Sequence, residues 1–535
     1  MKTESAQKSV PATASQAAKT VSQAAKTVAV IDIGTSAIRM AIAEISPEGD
    51  IRRLETLSQD VNLGRDTFTK GMIEKATIEQ CVRILASYRQ LLGEYQISQS
   101  DQIRVVATSA VREAANRLAF LDRIYIATGL LVEPTDEAEV SRITYLGIQP
   151  HLRAEKRLAN ATALVVEVGG GSTEVLVVRR GEVVSARTTR LGSLRLRETL
   201  EAYRAPTAQL RSMMDNQIRR AAAEIARDVG QHDNLDMIAM GGDIRFAARQ
   251  LRADDHDERL VRLKVEALQT FVGGVLEMTV DELVHKYHLT FSQAETLGPA
   301  LLAYVRLTEA LELKQIYVSH VSFRDGLLME MVASQRWSED FTKPVIQSAL
   351  ELGRKYRVDE KHARHVAELA KRLFHELQAE HQLGARDELI LYVAALLHEI
   401  GRFVSPVSHH KHTLYLISNS ELFGLRAEDV VLVGLVARYH RRASPKPSHV
   451  QYAALDRQQR IAVAKLGAIL RVADALDRSR SQRIEQFSCQ RDDDRLVISV
   501  PQVDDLSLEQ LALREKGALF EEIFGVPVLL RRANA

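Results

Sequence analysis

Apolar periodicity begins only at about Val28, after a polar stretch of Lys, Ala, Ser, Thr and Gln. Beyond that point short β-branched runs exchange with longer stretches whose apolar positions recur every three or four residues, so strands are expected to alternate with helices. Val28 to Met40 reads as a strand carrying Asp32, a turn at Gly34 and a second apolar run. Ile78, Val82, Leu85 and Leu92 mark a helix, Ile103 to Ala107 a strand, and Val111, Leu118, Leu121 and Ile124 a further helix. Two apolar runs flank Glu167 to Glu174, and Met237 to Met240 and Ile316 to Val321 are strands that end in glycine turns before helices. This βα alternation predicts a mostly parallel sheet with a ligand crevice at its carboxyl edge.

From about Phe341 the pattern turns helical, with His362, Val366, Leu369 and Leu373 on one face. Leu496, Ile498 and Val500 then alternate with polar residues, and a helix and a last strand, Val526 to Leu530, follow. The expected divisions are a disordered tail over 1–27, a first lobe over 28–150, a second over 151–338, a helical domain over 339–485 and a small α+β cap over 486–535.

Glu167 to Glu174 reads EVGGGSTE. Three glycines and two hydroxyls between β-branched runs form a turn whose backbone N–H groups can approach an anion. No Gly-Lys-Ser/Thr follows, so this is not a Walker loop. The Gly34, Thr35, Ser36 turn repeats the plan about 135 residues earlier. Two such hairpins look like the two facing phosphate loops of an actin/hexokinase/Hsp70-type fold, in which duplicated lobes would clamp phosphate between them. Arg112 lies in a first helical turn, where acids are preferred, and reads either as a phosphate ligand or as a solvated surface residue.

Composition narrows the partners. In 535 residues, 46% are apolar and 26% charged, and the net charge of +1 excludes a globally basic nucleic-acid coat. No sequence-specific nucleic-acid binding is expected. Cys81 and Cys489 are too few for a disulfide framework or a zinc site and fit a reducing, cytoplasmic compartment. There is no run of eighteen apolar residues, and the first 27 residues, in which SQAAKTV occurs twice, lack the apolar core of a secretory signal. Neither a membrane anchor nor a leader is expected.

The motifs DIGTSAIRM, ATSAVREA, VGGGSTEV, LGSLRL, GGDIR and SFRDGLL stand in an order that resembles the exopolyphosphatase and guanosine pentaphosphate phosphohydrolase (Ppx/GppA) family. The resemblance implies an α/β actin-like two-lobed fold. It also implies hydrolysis of a terminal phosphoanhydride of inorganic polyphosphate, or of guanosine pentaphosphate, by water and a divalent metal such as Mg2+. By this resemblance Gly34, Thr35, Ser36, Arg112, Gly169, Gly170, Gly171, Ser172 and Thr173 would bind substrate, and Asp32, Glu167 and Glu174 would hold the metal. Glu167 stands where the family has Asp, and Ala37 where it has Ser. The family's proton-accepting Glu aligns with Val140, leaving Glu137, three residues earlier on the same helix face, and the adjacent Glu139 as candidates beside Glu174. A catalytically degenerate binding protein is the alternative from another class.

The C-terminal half looks like the HD-type helical domain often carried by this family. By that likeness His362, His398, Glu399 in place of Asp, and Asp474 would form a second metal site. Arg438, Arg441, Arg442, Lys446, Arg457, Arg460 and Lys465 cluster with only Asp456 among them, which predicts a basic channel for a polyphosphate chain. A homodimer is expected from the long helical half.

Overall fold

The computed structural model describes residues 25–533 except 156–157, 159–160, 202–206, 231–234, 252–259, 334–338, 493, 502 and 504. The expected tail thus lies outside the described residues up to 24, and the first strand already starts at Lys26.

Two sheets follow one plan. The first contains β1 (Lys26–Ile33), β2 (Ala37–Ile45), β3 (Ile51–Asp60), β4 (Ile103–Ala107) and β5 (Val132–Pro134), in the order β3-β2-β1-β4-β5. The second contains β6 (Thr162–Val168), β7 (Thr173–Arg179), β8 (Glu182–Thr189), β9 (Leu235–Met240), β10 (Leu260–Lys264) and β11 (Gln315–Ser319), in the order β10-β11-β9-β6-β7-β8. Each opens with an antiparallel three-strand meander and continues in parallel strands, the second sheet ending in β10, antiparallel to β11. The sheets are therefore mixed rather than mostly parallel, because strands joined by a tight glycine hairpin can only pair antiparallel. Central β1 is buried on both faces from Val28 onward, which is why its sequence is a continuous apolar run rather than an alternation.

Helix α1 (Glu137–Ala154) and helix α2 (Phe323–Ala333) pack on each other beneath the first sheet. Val28, Val30, Ala41, Val140, Ile143, Phe323 and Leu327 share one apolar cluster. By packing, then, α2 belongs to the first lobe, although its place in the chain put it in the second. The two helices cross closely at small residues: a Cβ on Gly147 would come 2.9 Å from Val321 Cγ1, and one on Gly326 would overlap the carbonyl oxygen of Ile143.

The helices from Glu339 onward surround a separate core containing Val366, Leu391, Leu435 and Leu470. Strands β12 (Ser488–Asp492), β13 (Arg495–Val500) and β14 (Val528–Arg532) bring Leu496, Ile498 and Leu530 into that same core. The expected cap at 486–535 is thus continuous with the helical domain. Helix α3 (Ala427–Arg438) joins this domain to the lobes: the Ala427 amide donates to Asp136 Oδ2 at 2.8 Å, and Arg426 reaches Glu139 at 3.4 Å.

Because the methyl group of an alanine at Gly326 has no space, Gly326→Ala is expected to destabilise the first lobe by about 1–3 kcal/mol, read as a lowered Tm. Ala substituted at the open Gly274 of the second lobe should leave the Tm nearly unchanged.

Candidate active site

Both glycine hairpins lie where the lobes meet. In the first, the Gly34 amide donates to the Ala37 carbonyl at 3.0 Å, and in the second the Gly169 amide donates to the Ser172 carbonyl at 2.9 Å. Their tips are in direct contact. A Cβ on Gly170 would overlap Thr35 Oγ1, and one on Gly171 would overlap Ser109 Oγ. Glycine is favoured at these two positions because Thr35 of the first hairpin and Ser109, which starts the helix after β4, lie against them. Arg195 secures the second loop: its Nε donates to the Gly171 carbonyl at 2.7 Å, it pairs with Glu113 at 2.6 Å, and its guanidinium lies 4.0 Å from the Phe68 ring centroid.

A cleft of about 750 Å³ opens beside this contact. Asp32, Gly34, Thr35, Ser36, Arg112, Gly169, Gly170, Gly171, Ser172, Glu167 and Glu174 all line it, so eleven of the expected residues come together. Thr173 does not line it: its side chain is fully buried, and its hydroxyl donates to the Leu191 carbonyl. As the first residue of β7 it sits one step behind the tip, facing the core.

The charges in the cleft are unbalanced by burial. Desolvation raises the Asp32 carboxyl against the pull of Arg39 and Arg324. Glu167 is raised by desolvation and by Asp32, while Arg245 opposes. Burial and the neighbouring Glu167 push Glu174 up to about 7, although Ser172 Oγ donates to it at 2.5 Å. Asp243 is raised to about 6, again by burial, against Arg39 and Arg245. Four desolvated carboxyls thus face Arg39, Arg112, Arg245 and Arg324 across one space. Sequence reasoning left Arg39, Asp243, Arg245 and Arg324 without a role, although GGDIR and SFRDGLL, at the ends of β9 and β11, carry three of them.

A hard divalent cation suits this oxygen-only donor set. Asp32, Glu167 and Glu174 do not converge to ligand spacing, however; among the described residues only His362, His398 and Asp474 do. The cleft therefore fits an ion held by one or two carboxylates, waters and phosphate oxygens rather than by a three-carboxylate cage.

Helix α1 supplies one wall. Asp136 caps it, accepting from the Glu139 amide at 2.8 Å, and successive side chains turn by about 100°. Val140 faces the cleft, and one turn on, Thr144 donates to Glu167 at 3.5 Å. Glu139 points away from the cleft into a cluster with Arg104 at 3.2 Å, Arg426 at 3.4 Å and Arg142 at 3.8 Å, so it is not placed to accept a proton there. Glu137 is half-exposed and pairs with Arg112 at 3.5 Å without lining the cleft.

In the helical domain His362, His398 and Asp474 come together, each with a donor atom within 4.8 Å of the others. Glu399 does not join them. Arg480 at 2.6 Å and Arg402 at 2.9 Å draw its carboxylate aside, and against desolvation His398 and these arginines hold it down at about 2. Nor does the basic span form one channel: Arg441 and Arg442 border the cavity beside His362, whereas Arg457, Arg460 and Lys465 border another surface with Tyr452 and Ile523.

Two lobes of one sheet plan meet at glycine hairpins over a polar, arginine-lined cleft suited to phosphate groups. The Ppx/GppA phosphatase family model matches residues 41–335, and the model of Ppx/GppA phosphatase domain III matches residues 346–516; the chain belongs to this family. It is 22% identical over 475 residues to a guanosine-5′-triphosphate,3′-diphosphate pyrophosphatase of Photobacterium profundum, covering 88% of this chain and 91% of that one. An exopolyphosphatase from Cytophaga hutchinsonii has a similar structure, with a TM-score of 0.52 and 20% identity over 58% of this chain and 98% of that one. An exopolyphosphatase-like protein of known structure gives a TM-score of 0.50 and 22% identity over 57% of this chain and 97% of that one. No described helix is long and apolar enough to cross a membrane.

Glu139 serves the scaffold in this geometry. Glu139→Gln is expected to leave kcat essentially unchanged while lowering stability by about 1–3 kcal/mol, through weaker hydrogen bonds to buried arginines. Parallel kinetic and thermal measurements separate the two effects.

Proposed function

We propose that the cleft hydrolyses terminal phosphoanhydride bonds of inorganic polyphosphate, with water as the nucleophile. The observation that carries this reading is the contact of two glycine hairpins over a space where Asp32, Glu167, Glu174 and Asp243 face Arg39, Arg112, Arg245 and Arg324. A phosphoanhydride needs positioning and charge neutralisation more than covalent help. The guanidinium groups take the phosphate oxygens, and the carboxylates hold the cation and the water. Magnesium, when bound, supplies positive charge at the phosphate oxygens.

With Val140 at the helix wall, Glu174 is the proton acceptor in this proposal. A carboxylate held near 7 is about half ionised at neutral pH and matched to take a proton from water as the water oxygen bonds to phosphorus. The bond from phosphorus to the bridging oxygen breaks, and the shortened chain leaves on that oxygen. Arg112 and Ser172, both in the cleft wall, lie near Glu174 and favour its ionised form.

The test is orthophosphate release from long-chain polyphosphate with magnesium. Turnover is expected, and Glu174→Gln should lower kcat by about 10²–10⁴-fold. Because Glu174 works ionised, kcat/KM should fall as pH drops through about 7 and level off above it. Turnover at background level in both wild type and Glu174→Gln would show a binding protein instead.

One observation favours guanosine pentaphosphate as a second reading. Phe246, Tyr287 and Leu297 line the same cleft, the two rings meeting edge to face at 5.5 Å, and offer an apolar wall to a purine. Competition of guanosine pentaphosphate against polyphosphate hydrolysis, lost selectively in Tyr287→Ala, would assign the nucleotide to this cleft.

A further inference from the structure

One buried hydroxyl lies behind the two turns that the second lobe contributes to the cleft. It belongs to Tyr304 on helix α4 (Phe291–Ala310), whose side chain is fully buried in the core of that lobe. The Val168 amide donates to this hydroxyl at 2.9 Å, and the hydroxyl donates in turn to the Met240 carbonyl. An amide N–H only donates and a carbonyl only accepts, so the two partners alone decide where the hydroxyl hydrogen points. Burial holds the phenol well above its ordinary pKa, and the hydrogen stays on the oxygen at neutral pH.

Val168 and Met240 are the last residues of β6 and β9. The parallel pairing of these strands runs from Thr162 and Leu235 to Glu167 and Met240 and goes no further. Beyond it β6 enters the turn of Gly169, Gly170 and Gly171, and β9 enters Gly241, whose φ of +113° takes the backbone out of strand geometry. Both turns line the cleft, and Tyr304 does not. The hydroxyl thus stands where the paired strands end, joining two chains that the ladder no longer holds in register.

A hydrogen bond to a peptide group fixes the rotation of that peptide plane. The plane that carries the Val168 amide begins at Glu167, and the plane that carries the Met240 carbonyl ends at Gly241, two residues before Asp243. The charges of Glu167 and Asp243 both reach the phenol and oppose its ionisation. One oxygen therefore orients the backbone beside two of the four cleft carboxyls. Helix α4 is itself tied down, since Glu295 pairs with Arg65 of the first lobe at 3.3 Å and with Arg197 at 2.6 Å, and its Thr296 and Leu297 line the cleft.

We propose that Tyr304 is a positioning residue of the phosphate site: its hydroxyl sets the spacing of the turns at 169–171 and 241–243 and, through them, the aim of amides and carboxyls at the terminal phosphate. This inference rests on the reading of the cleft as a polyphosphate site. Without the hydroxyl, the buried Val168 amide and Met240 carbonyl lose a shared partner and reorient, and the turns shift with them. A displacement of about 1 Å near reacting groups costs on the order of 10²-fold in rate.

The test is Tyr304→Phe in the full-length chain, which removes one oxygen and keeps the ring that fills the core. Tyr145→Phe is the control, because the Tyr145 hydroxyl also donates to a backbone carbonyl, that of Gly181 at 2.5 Å, at the turn between β7 and β8 outside the cleft. Both variants should lose a few degrees of Tm. Only Tyr304→Phe should lower kcat for polyphosphate, by about 10–100-fold below both melting temperatures, and weaken binding of magnesium methylenebisphosphonate, a diphosphate that cannot be hydrolysed, by about 10-fold in calorimetry. A folded Tyr304→Phe that matches the wild type in kcat and in bisphosphonate affinity would overturn the inference, as would equal losses in Tyr145→Phe. If the wild type binds the bisphosphonate but releases no phosphate, the polyphosphate reading fails by itself, and the change in affinity alone decides the role of Tyr304. A wild type that binds no bisphosphonate overturns both.

Discussion

Everything at the cleft depends on the contact between two hairpin tips. Thr35 and Ser109 press against Gly170 and Gly171, so a side chain at either glycine would have to displace them. Through this contact the acids behind the first hairpin come to face those behind the second. Asp32 lies on β1 and Glu167 on β6, each close to the end of the strand that leads into the turn. Arg195 extends the constraint, since its hydrogen bond to the Gly171 carbonyl and its packing on Phe68 tie the second loop to a helix of the first lobe.

The cost of that geometry is electrostatic. Closing the lobes strips water from carboxyl groups on both sides, and Asp32, Glu167, Glu174 and Asp243 all respond by holding protons more tightly. The arginines around them relieve only part of the penalty. In the function proposed above, a polyanion accompanied by a divalent cation would bring both negative and positive charge to this wall. The Glu139 cluster shows the contrasting solution, in which Arg104, Arg142 and Arg426 satisfy an acid that lies outside the cleft.

Much of this was legible in the residues. Glycine-hydroxyl turns at fixed places on apolar strands revealed both hairpins, because backbone approach leaves a compositional trace. The likeness to an HD-type domain likewise singled out His362, His398 and Asp474, which the structure brings together. What was not legible is angular or long-range. The choice between Glu137, Glu139 and Val140 depends on the rotation of α1, which its packing against α2 and the helical domain decides. Arg39, Asp243 and Arg324 gather only once both sheets are built, and nothing in their spacing marks that meeting. His409 and His440 are 31 residues apart in the chain, and only the close packing of the helix His409–Ser418 on α3 brings their rings together. The apparent cap at 486–535 also looked separate because β-alternation resumes there, although its apolar face completes the helical core.

One carboxylate joins the two halves of the molecule. Asp136 accepts the Glu139 amide on Oδ1 and the Ala427 amide on Oδ2, and so caps two helices that begin in different domains. A shared cap acts as a mechanical joint: α3 cannot leave α1 without losing the acceptor of its Ala427 amide. Because α1 also carries Val140 into the cleft, the helical domain is fastened to the cleft wall itself, and movement of one half becomes strain in the other.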